Sequence, residues 1–205
     1  MLKSKVLIVG GIGKRLVKAS LDEGHETYLV HAIKEAGNSK RFLPSEFGMD
    51  PGRMEHALEP GRATFDDKMV VRKAIEEAKI PHTTITVVED DIAKYTIKTI
   101  DDPKILNKTV YIRPPKNILS PLEIVQTWKK LIGKELKKSS ISDEQFLSSM
   151  KRKSYAEQVA MVHYYHVCIE GCLANFEIGD GGVEACELYS EVKYTTVHEY
   201  MKRYL

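Results

Sequence analysis

Three glycines, a helix-borne lysine and arginine, and a histidine pair are the residues of this 205-residue chain whose types and spacing could do chemistry. Gly10, Gly11 and Gly13 lie in VLIVGGIGKRLV, where a strand would turn into a helix. Such a turn lets backbone amides at a helix N-terminus approach a phosphate. The spacing is tighter than G-x-G-x-x-G or G-x-x-G-x-x-G. Taken alone, it suits an ordinary strand–helix corner as well as a phosphate site. Lys68, in TFDDK, falls near the start of a helix expected over Thr64–Lys79. Taken alone it fits a solvated helix lysine. In the first turn, however, the helix dipole disfavours a charged amine, and burial acts in the same direction. A lysine so tuned can act as a general base near neutral pH, unless Asp66 or Asp67 reaches it. Arg72 follows one turn later on the same face. Its guanidinium suits phosphate or ribose oxygens, or a surface ion pair with Glu76. His163 in AMVHYYHV could hydrogen-bond a ligand oxygen or sit satisfied in a core, with His166 as its i,i+3 neighbour. Cys168 and Cys172, at i,i+4, read as buried thiols rather than a metal pair. No Ser/His/Asp triad, CxxC, HExxH or Walker loop is present.

Composition narrows the classes. With 42% hydrophobic and 29% charged residues the chain is an ordinary globular one. A formal charge of +2 gives no reason to expect nucleic acid or a membrane surface. The first apolar run, VLIV, is too short for a signal-peptide core or a membrane span. Three cysteines form no even framework, which points to a reducing, cytoplasmic setting.

Positioning these residues takes alternating strands and helices. Strands are expected at Lys5–Val9, His25–Val30, Lys40–Leu43, Pro81–Val88 and Lys108–Ile112. Helices are expected at Lys14–Glu23, Thr64–Lys79, from Asp90 or Asp91 to about Ile100, at Ser142–Met150 and at Tyr155–Cys172. Ser120-Pro121-Leu122-Glu123 opens another helix with a capping box and a proline at its first position, running to Ile132 before Gly133. Thr196-Val197-His198-Glu199 repeats the box near the C-terminus. HAIKEAGN reads as the closing turns of a helix that has no start, because a strand-like run precedes it. PSEFGMDPGRMEHALEPGR, rich in Pro and Gly, reads as a long functional loop. The alternation predicts an α/β fold, a parallel sheet with helices on both faces. A mostly helical C-terminal third would cover the carboxyl edge, where such sheets bind ligands.

RFLPSEFGMDP, EPGRATFDDKMVVRKAIEEAKIPHT, DDIAKYTIKTIDDPKILNKTVYIRPPKNILS, HYYHVCIEGCLANFEIG and LYSEVKYTTVHEYMKRYL carry a resemblance that these patterns do not. They resemble the NmrA-like plant reductases that include pinoresinol–lariciresinol, isoflavone and phenylcoumaran benzylic ether reductases. EIVQTWKKLIGKEL, EGCLANFEIGD and VKYTTVHEYMKRYL resemble the pinoresinol–lariciresinol branch most closely. The resemblance implies a Rossmann-like doubly wound parallel sheet with a smaller, mostly helical C-terminal substrate lobe. It places an NADP-binding domain in residues 1–88, with the remaining strands and the substrate lobe in residues 89–205. The family pattern is longer at three places, near 11–12, 30–31 and 88–89. These would hold the middle of the glycine turn, the 2′-phosphate-binding strands, and part of the substrate wall.

The activity implied is an NADPH-dependent opening of a benzylic ether in a furofuran or furan lignan. Isoflavone reduction and phenylcoumaran reduction are the alternatives on the same scaffold. A non-catalytic NADP-binding relative is the alternative if the shortened turn is real. The resemblance assigns Lys68 as the catalytic base. Gly10, Gly11, Gly13, Arg72, Pro44, Ser45 and Phe47 would contact NADPH. His163, Gly48 and Met49 would contact the phenolic substrate. The family site holds no metal, and the family often forms homodimers.

Overall fold

Short runs rich in β-branched residues build the sheet. The structure, a computed structural model, describes residues 28–46, 48–87 and 91–205. Strand β1 (Thr83–Val87) pairs in parallel with β2 (Lys108–Ile112), Ile85 opposite Val110. β2 pairs in parallel with β3 (Gly182–Glu184), Val110 opposite Val183. A parallel bridge between Phe42 and His82 extends the sheet beyond β1, so only this part of the strand expected at Lys40–Leu43 is laddered. Parallel neighbours need crossovers. β1 reaches β2 through α3 (Ile92–Thr99). The Phe42 segment reaches β1 through α2 (Ala63–Glu77). β2 reaches β3 through α4 (Pro121–Ile132), α5 (Asp143–Met150) and α6 (Tyr155–Tyr164). A π turn, Tyr165–Ile169, continues α6. Two short helices, α7 (Ala185–Leu188) and α8 (Val197–Met201), close the chain.

Two expectations change on folding. Tyr28–Val30, read as strand, belongs to α1 (Tyr28–Ala36). The helix runs unbroken across Val30–His31, which supplies HAIKEAGN with the start it lacked. Val30 and Ile33, three residues apart, pack on Ile75, Ile80, Phe42 and Val71, so the apolar spacing serves a helix face. Gly37, at φ +61, ends the helix. Conversely, β3 was not anticipated. It has three residues and one β-branched side chain, and it exists because β2 offers it an edge.

The main core lies on the sheet: Ile85, Tyr95, Ile105, Val110, Ile112, Ala185 and Tyr189 pack together. Another cluster, Met49, Met54, Ala57 and Phe65 with Val167, Cys172 and Leu173, joins the long loop to the region after α6. No helix among the described residues is long and apolar enough to cross a membrane. The expected elements Lys5–Val9 and Lys14–Glu23, together with Gly10, Gly11, Gly13 and Phe47, lie outside the described residues.

Candidate active site

α2 supplies one face of the candidate site. Thr64, Lys68 and Arg72 recur every four residues on it. The helix begins at Ala63 with Arg62 as its cap. Lys68 is therefore the sixth helical residue, in the second turn, where the dipole has largely faded. The first-turn position expected for this amine is thereby corrected, and the Lys68 residue is half-buried. Asp66 is turned toward Arg62, with Oδ2 3.5 Å from Nε.

α6 faces the start of α2. His163 Nδ1 hydrogen-bonds the Val159 carbonyl at 2.8 Å. A carbonyl only accepts, so Nδ1 carries a proton. Nε2 then points to Thr64 Oγ1 at 3.3 Å, and the ring packs 5.1 Å from that of Phe65. The structure thus brings His163 and the lysine-bearing face of α2 together, with Thr64 between them in the helical register.

The loop after Phe42 closes a third side. Pro44 is buried and Ser45 exposed. The Glu46 N–H donates to the Pro44 carbonyl at 2.9 Å, making a tight turn. Gly48 adopts φ +113, and a Cβ built on it would meet nothing within 4 Å. Only glycine takes that φ without strain. Met49 is buried in the cluster with Met54 and Phe65, so the structure places it beneath the surface rather than on it.

Arg72 is held from below. Its Nε donates to Glu46 Oε1 at 3.3 Å, and Nη2 donates to Glu46 Oε2 and to Asp50 Oδ1, the latter at 3.0 Å. Asp50 also accepts the Tyr111 hydroxyl at 2.6 Å and the Gly52 amide at 3.0 Å. Glu46 and Asp50 are almost fully buried. Burial opposes charge on Arg72, but the two carboxylates outweigh it and raise the guanidinium further above its usual range. Burial and Asp50 likewise push the Tyr111 phenol upward, so it stays a donor. This network ties the loop, α2 and the end of β2 into one unit. Glu46, Asp50 and Tyr111 were not anticipated. The available signal was Asp50-Pro51, a cap followed by proline, which opens the 3₁₀ turn Pro51–Arg53. At the same edge, Arg113 spans Glu184 (Nε to Oε2, 2.8 Å) and the carbonyls of Ala174 and Phe176.

The NmrA-like family pattern matches residues 21–88 and 85–201. The bifunctional pinoresinol-lariciresinol reductase 2 of Linum usitatissimum is 47% identical over 310 residues, covering 99% of this chain and 94% of that protein. Since the chain has 205 residues, that alignment opens internal gaps in it. Among solved structures, "AtPrR2 with NADP+ and (+)pinoresinol" superposes with a TM-score of 0.82 at 45% identity, over 86% of this chain and 68% of that one. A second, from a study of pinoresinol-lariciresinol and phenylcoumaran benzylic ether reductases, gives 0.85 at 45% identity over 97% and 74%.

Proposed function

This chain belongs to the NmrA-like family, and from that premise we propose that it is an NADPH-dependent reductase of furofuran and furan lignans. It converts pinoresinol to lariciresinol and then to secoisolariciresinol. The observation that carries the reading is the meeting of the Thr64–Lys68 face of α2 with His163 beside the Pro44–Asp50 loop. The likeness to a reductase bound to NADP+ and pinoresinol supports it.

The described residues fit a nicotinamide on one side. The loop follows Phe42, at the carboxyl end of a segment bridged in parallel to the sheet, the usual ligand position. Pro44, Ser45 and Phe47 would line that ring, Gly10, Gly11 and Gly13 would approach the phosphates, and Arg72 would shape the cofactor side. When bound, NADPH supplies a hydride to the benzylic carbon.

The chain's own groups do the rest. Lys68, as neutral amine, takes the phenolic proton of the substrate. The electrons released push through the ring, break the benzylic C–O bond and leave a quinone methide and an alkoxide that takes a proton from water. Once the quinone methide is reduced, its phenolate recovers the proton from Lys68. His163 accepts the hydroxyl of a second phenol or methoxyphenol ring through Nε2 and fixes the ring, with Gly48 and Met49 behind it. The phenolate supplies the push, so no metal is needed. The protein works in the cytoplasm, and two copies pair as a homodimer.

One observation favours a second reading. The short glycine turn and the gapped alignment suit a non-catalytic NADP-binding relative. Fluorescence titration of the full chain with NADPH, followed by a turnover assay, separates the two. Incubation with NADPH and racemic pinoresinol should yield lariciresinol and secoisolariciresinol. Lys68→Ala should lower turnover about 10²–10⁴-fold with NADPH affinity and the circular dichroism spectrum retained. Turnover of an isoflavone or a phenylcoumaran instead would reassign the substrate. Absence of NADPH binding would end the reductase reading.

A further inference from the structure

Behind the candidate site lies a polar cluster with no part in the scheme above. His166, on the π turn after α6, is fully buried. Its Nε2 accepts the Leu58 backbone N–H at 3.1 Å. The ring proton therefore sits on Nδ1, which donates to Glu170 Oε2 at 2.6 Å. The same oxygen accepts from His56 Nε2 at 3.2 Å and Cys172 Sγ at 3.5 Å.

Four potential ligand atoms within 4.8 Å of one another resemble a cation site. The Leu58 amide argues otherwise. A neutral imidazole ligating through Nδ1 carries its proton on Nε2, and that proton would face the Leu58 N–H. Burial and Glu170 push the Cys172 thiol up to about 11, so it stays a donor to that carboxylate. The cluster is better matched to three donors converging on one carboxylate.

What that arrangement holds is the segment leading into α2. Leu58 meets His166. A Cβ built on Gly61 would lie 2.5 Å from Val162 Cγ1, so backbone and α6 touch there. Thr64 meets His163. Residues spaced by three on one segment thus engage a single face of α6 and its π extension. Resting on the reductase reading above, we propose that His166 is a positioning residue. Fixed in one tautomer by Glu170, it anchors the Leu58 amide and so sets the register of α2, bringing Lys68 into alignment with the substrate held by His163.

Two near-isosteres divide its two hydrogen bonds. His166→Gln places an acceptor near the Nε2 position, within reach of Leu58. His166→Asn keeps a donor toward Glu170 and loses the Leu58 bond. His166→Asn should lower kcat about tenfold or more with KM and NADPH affinity little changed. His166→Gln should recover most of that loss. Amide exchange across residues 58–68 should rise about tenfold in His166→Asn and stay near wild type in His166→Gln. Equal kcat values in the two variants, or unchanged exchange in His166→Asn, would overturn the proposal. If the wild-type chain fails to turn over pinoresinol, the exchange measurement still answers. The predicted contrast would then retain the positioning role and reject the lignan substrate, and its absence would reject the positioning role too.

Discussion

Arg72 has one positive charge for two buried carboxylates, Glu46 and Asp50. Removing it leaves both without their cation in a site shielded from water. Arg72→Ala should therefore cost about 3–5 kcal/mol of stability, seen as a lower urea midpoint with or without NADPH. Arg72→Lys should recover only part, because an ammonium cannot engage Glu46 through two parallel bonds. The sequence made this residue conspicuous but not its partners. Helical spacing put Arg72 on the Lys68 face, and that geometry stands. Spacing within a helix says nothing about which loop folds back beneath it, so Glu46 and Asp50 stayed hidden. Lys68 owes its proposed role to the resemblance, not to its surroundings.

Helix α6, which carries His163, owes its start to a capping box. Ser154 Oγ accepts the Glu157 N–H at 3.4 Å, and Glu157 Oε2 accepts the Ser154 N–H at 2.9 Å. The same device opens α4, α5 and α8. Ser154→Ala should cost about 1 kcal/mol near neutral pH by urea unfolding. The backbone and hydroxyl of Ser154 hold Glu157 below its ordinary value. A carboxylate depressed in the folded state adds stability above its unfolded pKa of about 4.3, and that contribution is lost as pH falls through the folded value. The gap between wild type and Ser154→Ala should therefore narrow at about pH 3. Such boxes are local, which is why the starts at Ser120 and Thr196 could be read from four residues each. β3 could not, since its identity depends on a partner strand far away in the chain.

For the molecule as a whole, the match of alternating elements to an α/β sheet was legible because β-branched runs and helical periodicities are each short-range signals. Which runs sit side by side is decided by the edges left after the others have paired. That rule has a kinetic side. The described sheet contains no hairpin: each pairing is parallel and awaits a crossover, and β3 meets β2 only after three intervening helices have been made. Loop closure of that span is an entropic debt settled late. Val183→Ala should accordingly speed unfolding while leaving the refolding rate nearly unaltered in stopped-flow chevrons. On the ribosome, the clasp between Arg113 and Glu184 has to wait for the segment that follows α6 to emerge. Until then the β2 flank is an open template on which a stray strand can pair.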